Sequence, residues 1–331
     1  MTATRPNSSA GGAPDISARG RLFPSLLTVA GAMADVMTGA IRPHRQTLAR
    51  SSGAAGLPAA RETVTLTAFR QVRREVATPT VADGLRHPAR VGNAMTSFLV
   101  RHPDANILVD PAICDDVHHR VLPQLPAPLR ALVAPPASVA STQSSLRDAG
   151  LSFADIEFAL PTHLHWDHVS GLVDAPEIPI RVTEREWRWA MAGVLAPAGV
   201  ARRALVGREV DYYDLDGPPL LGFARSHDLF GDGSVTVLDM SGHTPGSVGF
   251  LLHLDDGRGT GRPHWALLVG DAAWHTVQVT NVRGKGLARA FDSDRSGALE
   301  VIRTLSELDE SIAIVPSHDA EAAVRFFPSA N

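Results

Sequence analysis

The chain has 331 residues, of which 44% are apolar and 20% are charged. This composition can bury a sizeable core and excludes global disorder. The net charge of −4 argues against a nucleic-acid partner, because nucleic-acid-binding domains are usually basic. The single cysteine, Cys114, cannot form an internal disulfide bond.

The first sixty residues differ in composition from the rest of the chain. A mostly apolar segment, 22–41, is flanked by arginines and has about the length of a membrane-spanning helix. Three interpretations remain open: a secretion signal over residues 1–34, a helix docked on the protein or on lipid, and a membrane anchor, which Asp35 disfavours. We favour export to the periplasm or the medium over a cytoplasmic or membrane-associated location. Residues 51–60, rich in Ser, Ala and Gly, predict a flexible linker to a folded domain over 61–331.

From Thr63 onward the sequence predicts alternating strands and helices. Residues 97–100 and 106–110 flank the turn sequence His102-Pro-Asp104 and predict a hairpin. In 297–308, leucine or isoleucine recurs every three residues, which predicts a helix with one apolar side. Alternating or short apolar runs predict the remaining strands at 63–69, 156–160, 235–240, 265–269 and 312–315.

One segment concentrates residues that can bind a metal ion. Three histidines and one aspartate fall within six residues of the sequence Thr162-His-Leu-His-Trp-Asp-His168. Imidazole and carboxylate groups are good zinc ligands. In an extended segment, His163 and His165 point to the same side because side chains alternate. Asp167 and His168 follow at a turn into a helix and can face a second ion, so this segment predicts a metal site.

Three further candidate ligands occupy equivalent places in the chain. His243, Asp271 and His318 each follow a predicted strand, as the histidine-rich segment follows the strand that ends at Leu160. In an open α/β arrangement, the carboxyl ends of the strands converge on one edge, where sites form. Together these residues supply five histidines and two carboxylates, which is enough for two metal ions.

The order of these residues and the glycines beside them resemble the ligand pattern of the metallo-β-lactamase superfamily. The resemblance covers roughly residues 63–320 and implies an α/β fold, a four-layer αββα sandwich, here with an N-terminal extension. It also implies that Asp110 supports the site without being a ligand. The ligands it implies are His163, His165 and His243 for one ion, Asp167, His168 and His318 for the other, and Asp271 as a bridge between them.

Variation within the motifs narrows the class. Superfamily β-lactamases that use two zinc ions commonly carry Cys at the position of Asp271, and the diiron flavoproteins carry Glu at the position of His165. Antibiotic hydrolysis and the reduction of oxygen or nitric oxide are therefore disfavoured. The segment 228–235, together with the sequence Gly242-His-Thr-Pro-Gly246, is most similar to N-acyl-homoserine lactonases and organophosphate hydrolases.

This resemblance implies a binuclear metal-dependent hydrolase with two divalent ions, expected to be Zn²⁺. A bridging hydroxide would attack a lactone, an ester or a related small substrate. Asp271 and Asp167 are the implied catalytic carboxylates, and Asp167 is suited to pass a proton to the leaving group. The alternatives are a thioesterase or phosphotriesterase of the same fold, a nuclease, and a non-catalytic metal-binding module.

Trp274 is the main departure from the lactonase pattern. Similar lactonases often carry Tyr three residues after the bridging aspartate, where Trp274 stands in this chain. An indole N–H can donate one hydrogen bond but lacks the acidic hydroxyl of a phenol. We expect Trp274 to form a wall of the substrate pocket and to favour apolar acyl or aryl groups.

Overall fold

The computed structural model describes residues 56–192, 199–255 and 263–327. The apolar segment 22–41 and the first half of the predicted linker, 51–55, lie outside these ranges, so the three interpretations of that segment stay predictions. Within the described ranges, no helix combines the length and the apolar character needed to cross a bilayer.

Two mixed β-sheets form the centre of the described fold. In the six-stranded sheet the strands lie side by side in sequence order: β1 (Thr65–Ala77), β2 (Arg90–His102), β3 (Ala105–Val109), β4 (Phe158–Leu160), β5 (Ile180–Val182) and β6 (Val210–Tyr212). In the five-stranded sheet the order is β11-β10-β9-β8-β7, with β7 (Ser226–Asp228), β8 (Val235–Asp239), β9 (Val248–His253), β10 (Trp265–Gly270) and β11 (Ile312–Pro316). Strands β3 to β6 pair in parallel, as do β10 and β11.

Helices cover the outer face of each sheet. Their bounds are α1 (Thr78–Val81), α2 (Val117–Arg120), α3 (Ala127–Val133), α4 (Thr142–Asp148), α5 (Trp166–Val169), α6 (Glu184–Ala190), α7 (Thr276–Asn281) and α8 (Arg295–Ser306). Short 3-10 turns occupy 122–124, 153–155, 170–174, 202–204, 287–291 and 324–326.

The apolar core has layers that follow the alternation of side chains along each strand. In β10, Leu268 packs in the core between the two sheets, whereas Leu267 packs on the opposite face with Leu305 of α8. In β3, Ile107 faces the centre and Leu108 packs with the helices of the first sheet. Strands that are apolar on both faces suit sheets that are covered on both faces. The predicted αββα arrangement is confirmed.

Most predicted elements occur with altered bounds. The hairpin of β2 and β3 forms, with His102 paired to Ala105. Strands β1 and β2 extend far beyond the apolar runs, because they pair with each other as far as Ala77 and Arg90, where alternate side chains face solvent. Helix α8 begins two residues before the predicted start, because the Asp294 carboxylate caps it by accepting hydrogen bonds from the N–H groups of Ser296 and Gly297.

Candidate metal centre

The candidate ligands lie where the strands end, at one edge of the sandwich. The histidine-rich segment follows β4 and leads into α5, His243 lies beyond β8, Asp271 directly follows β10, and His318 follows β11 by two residues. A main-chain hydrogen bond links the two sheets at this edge, since the Val248 N–H donates to the Thr162 carbonyl at 3.0 Å. The structure therefore brings together all seven residues that the sequence singled out, while their role as ligands stays a prediction.

Three histidines form one half of the centre, which we call the three-histidine site: His163, His165 and His243. His163 Nε2 is 2.9 Å from His165 Nδ1, and His165 Nδ1 is 3.0 Å from His243 Nε2. All three side chains are buried. Their nitrogen lone pairs converge, as ligation of one cation requires.

The other half, which we call the aspartate site, contains Asp167, His168 and His318. Asp271 lies between the two sites. Its Oδ1 atom is 3.2 Å from His168 Nε2 and 3.0 Å from His318 Nε2, and its Oδ2 atom is 3.2 Å from His243 Nε2. One carboxylate thus faces both groups of ligands, in the place expected of a bridge.

Three buried atoms test whether these residues fit metal ions. His168 Nε2, His318 Nε2 and Asp271 Oδ1 lie close together, yet none of them has a hydrogen-bond partner among the described residues. Polar atoms buried without a partner are costly, and a cation among them would satisfy all three. Imidazole nitrogen with carboxylate oxygen is the donor set that zinc prefers. The residues of the centre therefore fit divalent cations such as zinc.

Two ligands of the three-histidine site, His163 and His165, are poised in their neutral form. Burial, together with neighbouring imidazoles, lowers the pKa of His163 and that of His165 well below the ordinary value. A neutral imidazole is the form that binds metal. These two side chains are therefore ready to ligate without first losing a proton.

The aspartate site has the opposite electrostatics. Burial opposes protonation of His168, but the Asp110 and Asp271 carboxylates outweigh it and raise the pKa of His168 well above its ordinary value. Asp271 likewise outweighs burial and raises the pKa of His318. Although burial favours its neutral form, these imidazoles hold the pKa of the Asp271 carboxyl well below its usual range. This half of the centre attracts positive charge.

Hydrogen bonds from behind orient three of the histidines. The Nδ1 atom lies 2.8 Å from Asp110 Oδ2 in His168, 2.6 Å from the Ala94 carbonyl oxygen in His318, and 2.9 Å from Asp292 Oδ1 in His243. An Nδ1–H that donates to such an acceptor leaves the Nε2 lone pair for a metal ion. Asp110 therefore supports the centre from behind His168, as the resemblance implied.

Glu186 of α6 joins the two loops that supply the three-histidine site, and sequence reasoning did not find it. The side chain is 0% exposed. Its Oε1 atom accepts a hydrogen bond of 3.0 Å from the Leu164 N–H, and its Oε2 atom accepts from Thr244 Oγ1 at 2.8 Å and from the Gly246 N–H at 3.0 Å. Burial raises the pKa of this carboxyl. A β-carbon at Gly246 would lie 2.7 Å from the Glu186 main-chain nitrogen, which explains the glycine there.

Trp274 lies beside the centre, in direct contact with the shared carboxylate. Its indole Nε1–H donates a hydrogen bond of 2.7 Å to Asp271 Oδ2, and its ring centroid is 5.0 Å from that of His318. The ring also packs against the apolar cluster of Val81 and Val91. This placement agrees with the expected position next to Asp271 and adds a hydrogen bond that the sequence did not reveal.

Sequence comparison places the chain among known proteins. The family model of the metallo-beta-lactamase superfamily matches residues 92–318. Cytochrome P450 monooxygenase mpaDE' of Penicillium brevicompactum is 25% identical over 268 residues, which is 70% of this chain and 30% of that protein. N-acyl homoserine lactonase AttM of Agrobacterium fabrum is 27% identical over 183 residues, which is 55% of this chain and 65% of that protein. This chain matches less than two thirds of the length of either relative.

Solved structures share the fold at low sequence identity. A quorum-quenching N-acyl homoserine lactone lactonase has a TM-score of 0.58 and 18% identity, with 80% of this chain and 95% of that chain covered. AidC, a dizinc quorum-quenching lactonase, has a TM-score of 0.53 and 17% identity, with 80% and 91% covered. The family model covers more than half of the sequence and includes every candidate ligand, so the chain belongs to the metallo-beta-lactamase superfamily.

Proposed function

We propose that this protein is a binuclear metal-dependent hydrolase of the lactonase type that acts on a small molecule. The observation that carries the proposal is the position of Asp271, whose two carboxylate oxygens face different groups of ligands, each within about 3.2 Å. The name of the AttM relative, a lactonase, supports the same class of reaction.

Two divalent ions, for which we propose zinc, would be held by the residues of the two sites. His163, His165 and His243 would hold one, Asp167, His168 and His318 the other, and Asp271 both. When bound, such a pair supplies an activated water molecule and an electrophile for the carbonyl oxygen. The dizinc lactonase of similar fold supports this number and this metal.

Asp167 is the residue we propose for proton transfer to the leaving group. Its side chain is 16% exposed, compared with 4% for Asp271 and for His318. A leaving group that approaches from solvent would therefore reach Asp167 before the other carboxylate. Its Oδ2 atom lies 3.6 Å from His318 Nε2, which keeps the carboxylate at the rim of the centre.

Trp274 is the residue we propose to shape substrate choice. Its indole N–H donates to Asp271 Oδ2. This side chain therefore does not donate a hydrogen bond to a substrate carbonyl, as a tyrosine hydroxyl would. The large ring favours apolar acyl or aryl groups beside the centre. We propose modest lactone hydrolysis, with ester hydrolysis comparable or faster.

The test is purification without chelator, followed by elemental analysis and assays on lactone, ester, thioester and phosphotriester substrates. We expect about two transition-metal ions per chain, as in two-metal hydrolases, and hydrolysis of lactone and ester that a chelator abolishes and zinc restores. The proposal fails if the protein binds no transition metal and gains no activity with zinc, manganese or cobalt.

We also propose that the catalytic domain comprises residues 61–331. Arg61 is the first of the described residues that bonds to the turn before β8, through its N–H to the Asp232 carbonyl and its guanidinium to the Gly231 carbonyl. Every proposed ligand lies beyond residue 160. A chain that starts at Arg61 should keep its metal content and its kcat/KM, and loss of both would show that the preceding residues complete the site.

A further inference from the structure

Behind the three-histidine site lies a buried cation that the proposed mechanism does not use. Lys285 is 2% exposed. Its Nζ atom lies 2.6 Å from Asp292 Oδ1 and 2.8 Å from His243 Nδ1. The same Asp292 oxygen is 2.9 Å from His243 Nδ1. Ammonium, carboxylate and imidazole thus form a closed triangle directly behind one candidate ligand.

The sequence makes this position unusual. Lys285 is the only lysine in the chain, and all the other basic residues among its 31 lysines and arginines are arginines. An ammonium group is a compact point charge with three donors, whereas guanidinium is a larger planar fork. The chain therefore uses its one ammonium group where a small cation must approach both a carboxylate and an imidazole in a buried space.

Among the described residues, no such cation lies behind His168 of the aspartate site. Asp110, behind His168, accepts its other hydrogen bonds from neutral groups, namely Thr162 N–H, Thr162 Oγ1 and Ser317 Oγ. An uncompensated carboxylate behind a histidine strengthens its attraction for a metal ion. Asp292, in contrast, is compensated by Lys285, so the negative charge behind His243 is largely cancelled.

We propose that Lys285 is a positioning residue that balances the charge of Asp292 and thereby holds the metal of the three-histidine site more weakly than the metal of the aspartate site. This inference rests on the metal binding proposed above. It deepens that proposal, because it predicts an order of loading in which the aspartate site fills first and the three-histidine site second.

The test is metal affinity, measured by competition with a chromophoric chelator in three variants. Lys285→Met keeps an unbranched side chain one atom shorter and removes the charge, and should tighten the weaker metal site by about tenfold, at the lower end of the range for residues behind ligands. Asp292→Asn should weaken that site by a similar factor. The double variant removes both charges and should return the affinity to within about threefold of wild type.

Arg283→Met is the matched control, because it removes a positive charge from the same loop. The Arg283 side chain makes no hydrogen bond to a candidate ligand among the described residues, and this variant should leave both affinities nearly unchanged. A merely structural role for Lys285 would weaken metal binding in Lys285→Met. That result, or a change confined to the tighter site, overturns the inference even if wild-type protein binds two metals.

Nuclear magnetic resonance of wild-type protein labelled with [15N]lysine provides a readout that needs no variant. Because the chain has one lysine, the side-chain spectrum should contain a single ammonium signal. We expect slow hydrogen exchange, since the group is buried and bonded to Asp292, and a shift of the signal only as the second equivalent of zinc binds. A freely exchanging signal, or a shift complete at the first equivalent, contradicts the inference.

Discussion

Each half of the centre takes two ligands from the same short motif, residues 163–168, and yet the two halves differ in charge. The three-histidine site has two histidines, His163 and His165, whose pKa is lowered, and Glu186 and the Lys285–Asp292 pair lie behind it. The aspartate site contains a carboxylate of its own and has Asp110 behind it. The comparison teaches that neighbours distant in sequence, and not the motif alone, decide how strongly each half attracts a cation.

Removing the carboxylate that the two halves share should have the largest effect. Asp271→Ala deprives His168, His243 and His318 of the anion that faces them. We expect metal content below one ion per chain. We also expect a loss in kcat/KM on the order of a thousandfold, since metal ions supply several kcal/mol of transition-state stabilisation. Asp148→Ala, which removes an exposed carboxylate, is the control. Two ions retained in Asp271→Ala would show that the halves are independent.

Glu186→Gln should affect the halves unequally. A glutamine amide has one oxygen, so its NH₂ group must face an N–H or hydroxyl donor that Glu186 now satisfies, at a cost of about 1–3 kcal/mol. We expect the affinity of the three-histidine site for its metal to fall by roughly 10- to 100-fold, as measured by chelator competition. The affinity of the aspartate site should stay unchanged. Glu184→Gln, on the exposed side of the same helix where it pairs with Arg188, should change neither. Equal losses of metal affinity at both sites would show that Glu186 does not act on the three-histidine site in particular.

Proton release should distinguish the halves by the sign of their pKa shifts. The raised pKa of His168 and that of His318 mean that these side chains hold protons in metal-free protein near pH 7, and ligation must displace them. His163 and His165, with lowered pKa values, have none to lose. Calorimetry of zinc binding in buffers of different ionisation enthalpy should show net release at pH 7, and less as the pH rises.

The same asymmetry predicts which variant reduces that release of protons. His318→Ala should remove a large part of it, whereas His165→Ala should leave it nearly intact while still weakening metal binding. Zinc binding without proton release at pH 7 in wild-type protein would contradict the assignment of charge to the aspartate site.

Substitutions of Trp274 should have the smallest effect, because they should change the preference between lactones and esters more than the overall rate. Its N–H bonds to the Asp271 oxygen that faces the three-histidine site. Trp274→Tyr should raise kcat/KM for lactones relative to esters by roughly tenfold or more, since a positioned donor to the substrate oxygen is worth up to a hundredfold or more. Trp274→Ala should weaken apolar substrates most. A fast, selective wild-type lactonase that Trp274→Tyr leaves unchanged would exclude this role.

The sequence predicted most strands and the set of candidate ligands from local patterns, and the four-layer fold through its resemblance to the superfamily. Polar side chains such as Asp271 stand directly after apolar strands, and strand ends converge in this architecture. The supporting residues could not be predicted in this way. Glu186 lies beside exposed Glu184 in a charged segment, and only tertiary packing buries one and exposes the other. Lys285 and Asp292 are connected to the centre through contact with His243, which lies more than forty positions earlier in the chain.

Each half of the centre also draws its ligands from both sheets. His163 and His165 follow a strand of the six-stranded sheet, whereas His243 follows a strand of the five-stranded sheet, and His168 and His318 are divided in the same way. A bound ion would therefore act as a cross-link between the two sheets. A metal that binds only the folded state raises the free energy of unfolding as its free concentration rises. The concentration of free metal would therefore determine how stably the two sheets are held together at this edge.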